Sequence, residues 1–158
     1  MSAAEPAGRY APRVEAADWA AVTRELDESG AALLPRLLTP AECAELAGLY
    51  GQPRRFRATV DMARHRFGSG QYRYFAEPFP EPVAALRSAL YELVEQRPRA
   101  QSRGTARTVP QGHGLVFTTR DRPVRSARGW SAAPVRHGVS TIRSGCRFTL
   151  GLVFHDAR

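Results

Sequence analysis

An α+β fold is predicted by a change of hydrophobic period part-way along the chain. In the first part, apolar residues recur at helical spacing behind clear start signals. Beyond Arg103, short β-like pieces separated by Gly, Pro and Ser take over. Size supports a packed interior: 158 residues, 43% hydrophobic and 24% charged, are enough for one domain with a real core.

The elements follow in order. Met1 to Arg13 is rich in Ala, Pro and Gly and reads as a disordered lead-in. Asp18 to Ser29 reads as a helix, with Trp19, Val22 and Leu26 on one face and Gly30 fitting its C-terminal cap. Ala31 to Leu34 is a short apolar run stopped by Pro35. Thr39-Pro40-Ala41-Glu42 is a capping box with Pro at the first helical position. The helix it opens carries Cys43, Leu46, Ala47 and Tyr50 inward and ends at Gly51. Phe56 to Met62 and Tyr72 to Phe75 read as strands around a basic turn from Ala63 to Gly70. Pro82 to about Leu90 is a helix with Val83, Leu86 and Leu90 on one face. Thr108-Val109, Gly114 to Thr119, Ala133 to Ser140 and Arg147 to His155 are the later β-like pieces. There is no internal repeat.

Composition excludes several classes. No apolar run approaches the ~18–20 residues that cross a bilayer, and the start lacks the apolar centre of a secretory signal. A cytoplasmic protein is expected. Cys43 and Cys146 are too few for a disulfide framework and stand in no metal-binding pattern. The net charge of +8 and pI near 10.6 invite a polyanionic partner. All 23 basic residues are arginine, however, and they are spread along the chain rather than gathered on one helix face. Together with abundant alanine, that reads as the codon bias of a GC-rich genome rather than as selection for phosphate binding.

The chemistry-bearing stretch is Arg136 to Leu150. By period two, Val135, His137 and Val139 share one strand face. In the next strand Phe148, Leu150, Leu152 and Phe154 face one way, and Arg147, Thr149 and Gly151 the other. A neutral imidazole can ligate a metal, and a guanidinium beside a hydroxyl can hold a carboxylate through charge-assisted hydrogen bonds. Each residue also has a plainer reading: a lone strand histidine is commonly structural, and Arg147 could be a surface arginine. His155-Asp156 converges poorly on one ion because adjacent strand residues point to opposite faces. His65 reads as a solvated turn residue and His113 as another turn residue. Gly68-Ser-Gly70 is a turn rather than a phosphate loop.

Several motifs carry a family resemblance. Phe56-Arg57, Met62-Ala-Arg-His-Arg-Phe-Gly68, Tyr72-Arg-Tyr-Phe75 and Ala85-Leu-Arg-Ser-Ala-Leu-Tyr91 form a first group. Glu95-Gln-Arg-Pro-Arg99, Gln101-Ser-Arg103, Val109-Pro-Gln-Gly112, Arg122-Pro123-Val124, Arg136-His-Gly-Val-Ser140, Arg143-Ser-Gly145 and Leu150-Gly151 through Ala157 form a second. In order, they resemble the two halves of a bacterial family of prolyl-hydroxylase-like, 2-oxoglutarate/Fe(II)-dependent oxygenases, often labelled as acting oxidatively on alkylated DNA. The resemblance runs from Trp19 to the end.

It implies N-terminal helices packed on a double-stranded β-helix, or jelly-roll, core. It divides the chain into a disordered lead-in (1–15), an N-terminal helical and mixed region (16–91) and the C-terminal half of the β-helix (92–158). It makes His137 the distal ligand of Fe(II), Arg147 the partner of the far carboxylate of 2-oxoglutarate, and Thr149 its hydroxyl companion. The sequence departs from the family at one place. None of His65, His113, His137 and His155 is followed two positions on by Asp or Glu, so the His-x-Asp iron motif is absent. The family places that motif between Tyr91 and Glu92, where a block of sequence is missing. Glu92-Leu93-Val94 resembles a strand well inside the barrel, so the jelly roll is expected to be incomplete. Three consequences are open at this stage: an oxygenase by descent that has lost activity, a basic nucleic-acid-binding remnant, and self-association through open strand edges. A small-molecule substrate and a nucleic-acid substrate both remain open.

Overall fold

Asp18 opens the first long helix by accepting a hydrogen bond from the Ala21 amide at 2.9 Å, which satisfies one of the free N–H groups of a helix start. This computed structural model describes residues 8–65, 69–95, 107–117, 121–127, 129–134 and 138–154. The helices are α1 (Ala11–Glu15), α2 (Trp19–Ser29), α3 (Pro40–Gly48) and α4 (Glu81–Glu95). The strands are β1 (Ala31–Leu34), β2 (Phe56–Asp61), β3 (Gln71–Phe75), β4 (Gly114–Phe117), β5 (Asp121–Ser126) and β6 (Gly129–Pro134).

The local signals act as their chemistry dictates. Gly30 closes α2 in the left-handed conformation, φ 71°, with its N–H donating to Leu26 O at 2.8 Å. That reversal feeds the chain directly into β1. At Thr39 both arms of the capping box form: the Glu42 amide donates to Thr39 Oγ1 at 3.3 Å and the Thr39 amide to Glu42 Oε2 at 2.8 Å. The side chains of α3 are only partly buried, and the fully buried residue of this region is Leu49, on the tight turn that follows.

The core is built from α1, α2, β1 and α4. Val22 and Leu26 come from α2, Ala32 and Leu34 from β1, and Val83, Ala85, Leu86 and Leu90 from α4. Each large apolar side chain so buried stabilises the fold by about 1.5–3 kcal/mol. Tyr10 and Val14 complete it, at 0% and 1% exposure. The expected disordered lead-in is therefore corrected from Tyr10 onward: Pro12 at the start of α1 presets helical backbone, and burial of Tyr10 and Val14 repays the ordering.

The described strands form three two-stranded antiparallel pairs, β1–β4, β2–β3 and β5–β6. In β1–β4, Ala31 faces Phe117 and Leu34 faces Gly114, joining an early strand to a late one. Gly112, just before β4, has φ +77°, and a Cβ there would stand 2.2 Å from Leu38 O. Its carbonyl accepts the Leu38 amide at 2.8 Å, so only glycine fits this crossing. In β2–β3 a bulge between Phe56 and Ala58 leaves Arg57 as the extra residue.

The α+β class holds, but the described strands close no barrel. Three expectations differ in detail. Glu92-Leu93-Val94, read as strand, continues α4, because a helix already nucleated upstream extends cheaply. Asp121–Ser126 is a strand where no β-like piece is expected; it accommodates Pro123 because it belongs to a two-stranded pair, where proline at an edge is tolerated. Thr108-Val109 and the described part of Arg147 to His155 pair with no described strand. Ala133 and Pro134 end β6, while 135–137 and 118–120 lie outside the described residues.

Candidate functional site

Residues 146–154 run without a strand partner among the described residues, yet the predicted alternation survives. Leu150, Leu152 and Phe154 are partly buried and pack against the core, and Phe154 meets Tyr91 of α4 with ring centroids 6.0 Å apart. Phe148 lies edge-on to Tyr50 at 5.5 Å, though it is 55% exposed. Arg147, Thr149, Gly151 and Val153 are exposed. One side of the segment thus grips the core while the other presents a guanidinium and a hydroxyl two residues apart, about 7 Å along extended backbone.

Arg147 is tethered: its Nη2 donates to Ser140 O at 2.7 Å across the turn at 143–145. A guanidinium carries five donors, so among the described residues those not used by Ser140 can serve a carboxylate. His137, the sequence's candidate metal ligand, lies outside the described residues, as does the His155-Asp156 pair. His113 sits in the turn before β4, with Nδ1 3.2 Å from Gln111 O. His65 ends the short turn Met62–His65. Among the described residues no three His, Cys, Asp or Glu side chains converge on a common point. Cys43 and Cys146 are both free thiols, the latter exposed.

Two clusters escape sequence reading. Arg13 holds Glu42 with two hydrogen bonds of 2.7 Å, and Arg9 bonds Glu45 and Glu81, tying α1 to α3 and α4. The Arg13 guanidinium, helped by the Thr39 amide and hydroxyl against the effect of burial, holds the Glu42 carboxyl down at about 2. Burial pushes the Tyr10 hydroxyl up. These partners lie 29 to 72 residues apart, so no local pattern announces them. The second cluster is on the β2–β3 hairpin. Arg73 donates to Tyr50 O at 2.7 Å and stacks on the Tyr50 ring at 4.0 Å, turning Tyr72 and Tyr74 outward on the opposite face.

Against known proteins, residues 92–157 match an oxygenase family described as "Oxygenase, catalysing oxidative methylation of damaged DNA". The match covers less than half of the chain and begins at Glu92, directly after Tyr91. Two proteins of Mycobacterium tuberculosis, from strains CDC 1551 / Oshkosh and ATCC 25618 / H37Rv, are 80% identical to the chain over 77 residues. Both are described as uncharacterized. The aligned part is 49% of this chain and 33% of each relative, so the chain spans about a third of the length of the relatives it matches. No solved structure matches. No described helix is long and apolar enough to cross a membrane.

Proposed function

We propose that the chain descends from an Fe(II)- and 2-oxoglutarate-dependent oxygenase and keeps the cosubstrate end of that site without its iron end. The observation that carries this reading is the pairing of an oxygenase-family match over 92–157 with a sequence in which no histidine heads a His-x-Asp or His-x-Glu motif.

In the intact family, iron with 2-oxoglutarate activates oxygen for C–H hydroxylation or oxidative dealkylation. Here the residues present do not fit the metal. His137 is the one ligand the resemblance carries over, and a single imidazole does not hold Fe(II) against water. No catalytic step through iron is therefore assigned to this chain. Arg147 and Thr149 are the residues assigned to the cosubstrate: the guanidinium pairs with a carboxylate and the hydroxyl donates to it. The exposure of both and their shared side of the segment support that role. The start of the family match at Glu92 supports a junction after Tyr91, where the lost block of an ancestral jelly roll belongs.

The test is succinate formation. Purified chain supplied with Fe(II), ascorbate, air and 2-oxoglutarate should release no succinate above a protein-free control. It should still bind 2-oxoglutarate weakly in metal-free calorimetry, and Arg147→Ala should abolish that heat. Succinate production that vanishes in His137→Ala would show a working iron site and sink the proposal.

A further inference from the structure

Arg147 and Thr149 flank Phe148, but they are not equally anchored. Thr149 stands between Phe148 and Leu150, and Leu150 packs against the core. Arg147 stands between Phe148 and Cys146, an exposed residue at the end of the turn at 143–145. Its hydrogen bond to Ser140 O holds one guanidinium nitrogen and leaves the direction of the backbone beneath it unset. Successive residues of extended chain point to opposite sides, so whatever holds Phe148 also decides where Arg147 and Thr149 face. Among the described residues the ring that meets Phe148 is Tyr50, edge-on at 5.5 Å. The next aromatic anchor of the segment, Phe154 on Tyr91, lies about 20 Å further along extended backbone, too far to govern Arg147.

Tyr50, on the tight turn after α3, is itself held from several directions. Its hydroxyl donates to Gln71 Oε1 at 3.2 Å, and its carbonyl accepts from Arg73 at 2.7 Å. The Arg73 guanidinium lies 4.0 Å from its ring centroid, and the Phe56 ring meets it at 6.2 Å. Phe56 in turn stacks on Phe75 at 4.7 Å. Keeping Arg73 there has a cost: its Nε is buried with no hydrogen-bond partner among the described residues. A buried donor left unpaired is destabilising, so the cation stays on the ring against that penalty and leaves Tyr50 one orientation.

We propose that Tyr50 is the positioning residue for the carboxylate site, aiming Arg147 and Thr149 outward through Phe148, with Arg73 of β3 as its lock. The role rests on the assignment of Arg147 and Thr149 to 2-oxoglutarate, and it adds a side chain that the resemblance does not name. Tyr50 touches no ligand and acts only through Phe148.

The experiment measures two things on the full chain: the NMR order parameter of the Arg147 amide without ligand, and 2-oxoglutarate affinity in metal-free calorimetry. In the parent the amide should sit near the rigid value of about 0.85, and in Tyr50→Ala it should fall below about 0.6. Phe148→Ala, which removes the other ring and leaves the hairpin untouched, should have the same effect. Each should weaken 2-oxoglutarate binding by about two- to tenfold, the range one aromatic pair supports, and the double variant no further. Tyr50→Phe keeps the ring and should restore both readouts. Leu152→Ala thins the packing of the same segment beyond Leu150 and should leave the Arg147 amide rigid. An amide that stays rigid in both Tyr50→Ala and Phe148→Ala would overturn the proposal, as would Leu152→Ala loosening it equally. If the parent binds no 2-oxoglutarate while both variants still loosen Arg147, the cosubstrate assignment fails and the positioning by Tyr50 stands.

Discussion

The two parts of the molecule treat the same apolar side chains differently. Among the described residues every buried hydrophobic lies between Tyr10 and Leu90. Beyond Val109 the large hydrophobics are at best partly buried, with Val139, Phe148 and Val153 at 64%, 55% and 53% exposure. The first part has two layers to press together, α1, α2 and α4 against β1. The second has β4 joined to β1 and an unpaired segment lying on that core, with no described element covering its outer side. Amphipathic patterning specifies which face is to be buried, but burial needs a second layer. Where that layer is missing, the pattern survives and its stabilisation does not.

Substitutions can sharpen that contrast. Leu86→Ala, in the covered part, should lower unfolding free energy by about 2–5 kcal/mol in a urea titration. Leu152→Ala, on the segment of 146–154, should cost only about 1 kcal/mol because less area is lost. Equal losses would mean both parts share one core of equal depth. Gly112→Ala strikes the crossing between them. A left-handed non-glycine residue and the clash with Leu38 O together should cost about 2–4 kcal/mol. A variant melting like the parent would show that the turn carries no strain.

The pH-dependent effect concerns the N-terminal clasp. The folded-state value of Glu42, about 2, lies below its ordinary 4.5. The stability it contributes is therefore complete above about 4.5 and is lost as pH falls towards 2. Glu42→Gln should cost about 1–3 kcal/mol at pH 7, and the gap to the parent should narrow steadily in melts taken from pH 5 down to 3. A gap independent of pH would place the effect in packing rather than charge.

Helix starts and stops were legible because they are local: Asp18, Thr39 with Glu42, and Gly30 each act within four residues. The alternation of residues 148–154 was legible for the same reason. Its pairing was not, since a ladder needs a partner that the residues themselves do not name. Helix α1 was hidden by a composition typical of loose chain, and only the distant partners of Tyr10, Arg9 and Arg13 give it order. For the site, Arg147 and Thr149 fell on the expected side, whereas the hydrogen bond to Ser140 depends on how the intervening turn folds. The outward turn of Tyr72 and Tyr74 could have been suspected from the Tyr-Arg-Tyr alternation, but which face is outward is decided by Tyr50, more than twenty residues earlier.

Helix α4 passes through positions 91 and 92 without a break. A helix transmits rotation as well as length: each residue turns the chain by about 100° and advances it 1.5 Å. One residue added at that point would turn the last helical residues, up to Glu95, by more than a quarter-turn about the α4 axis while moving them along by about 1.5 Å. The face that the last turn of α4 presents to Phe154 and the core is thus set by residue count in a single helix, as the timing of a gear is set by its teeth.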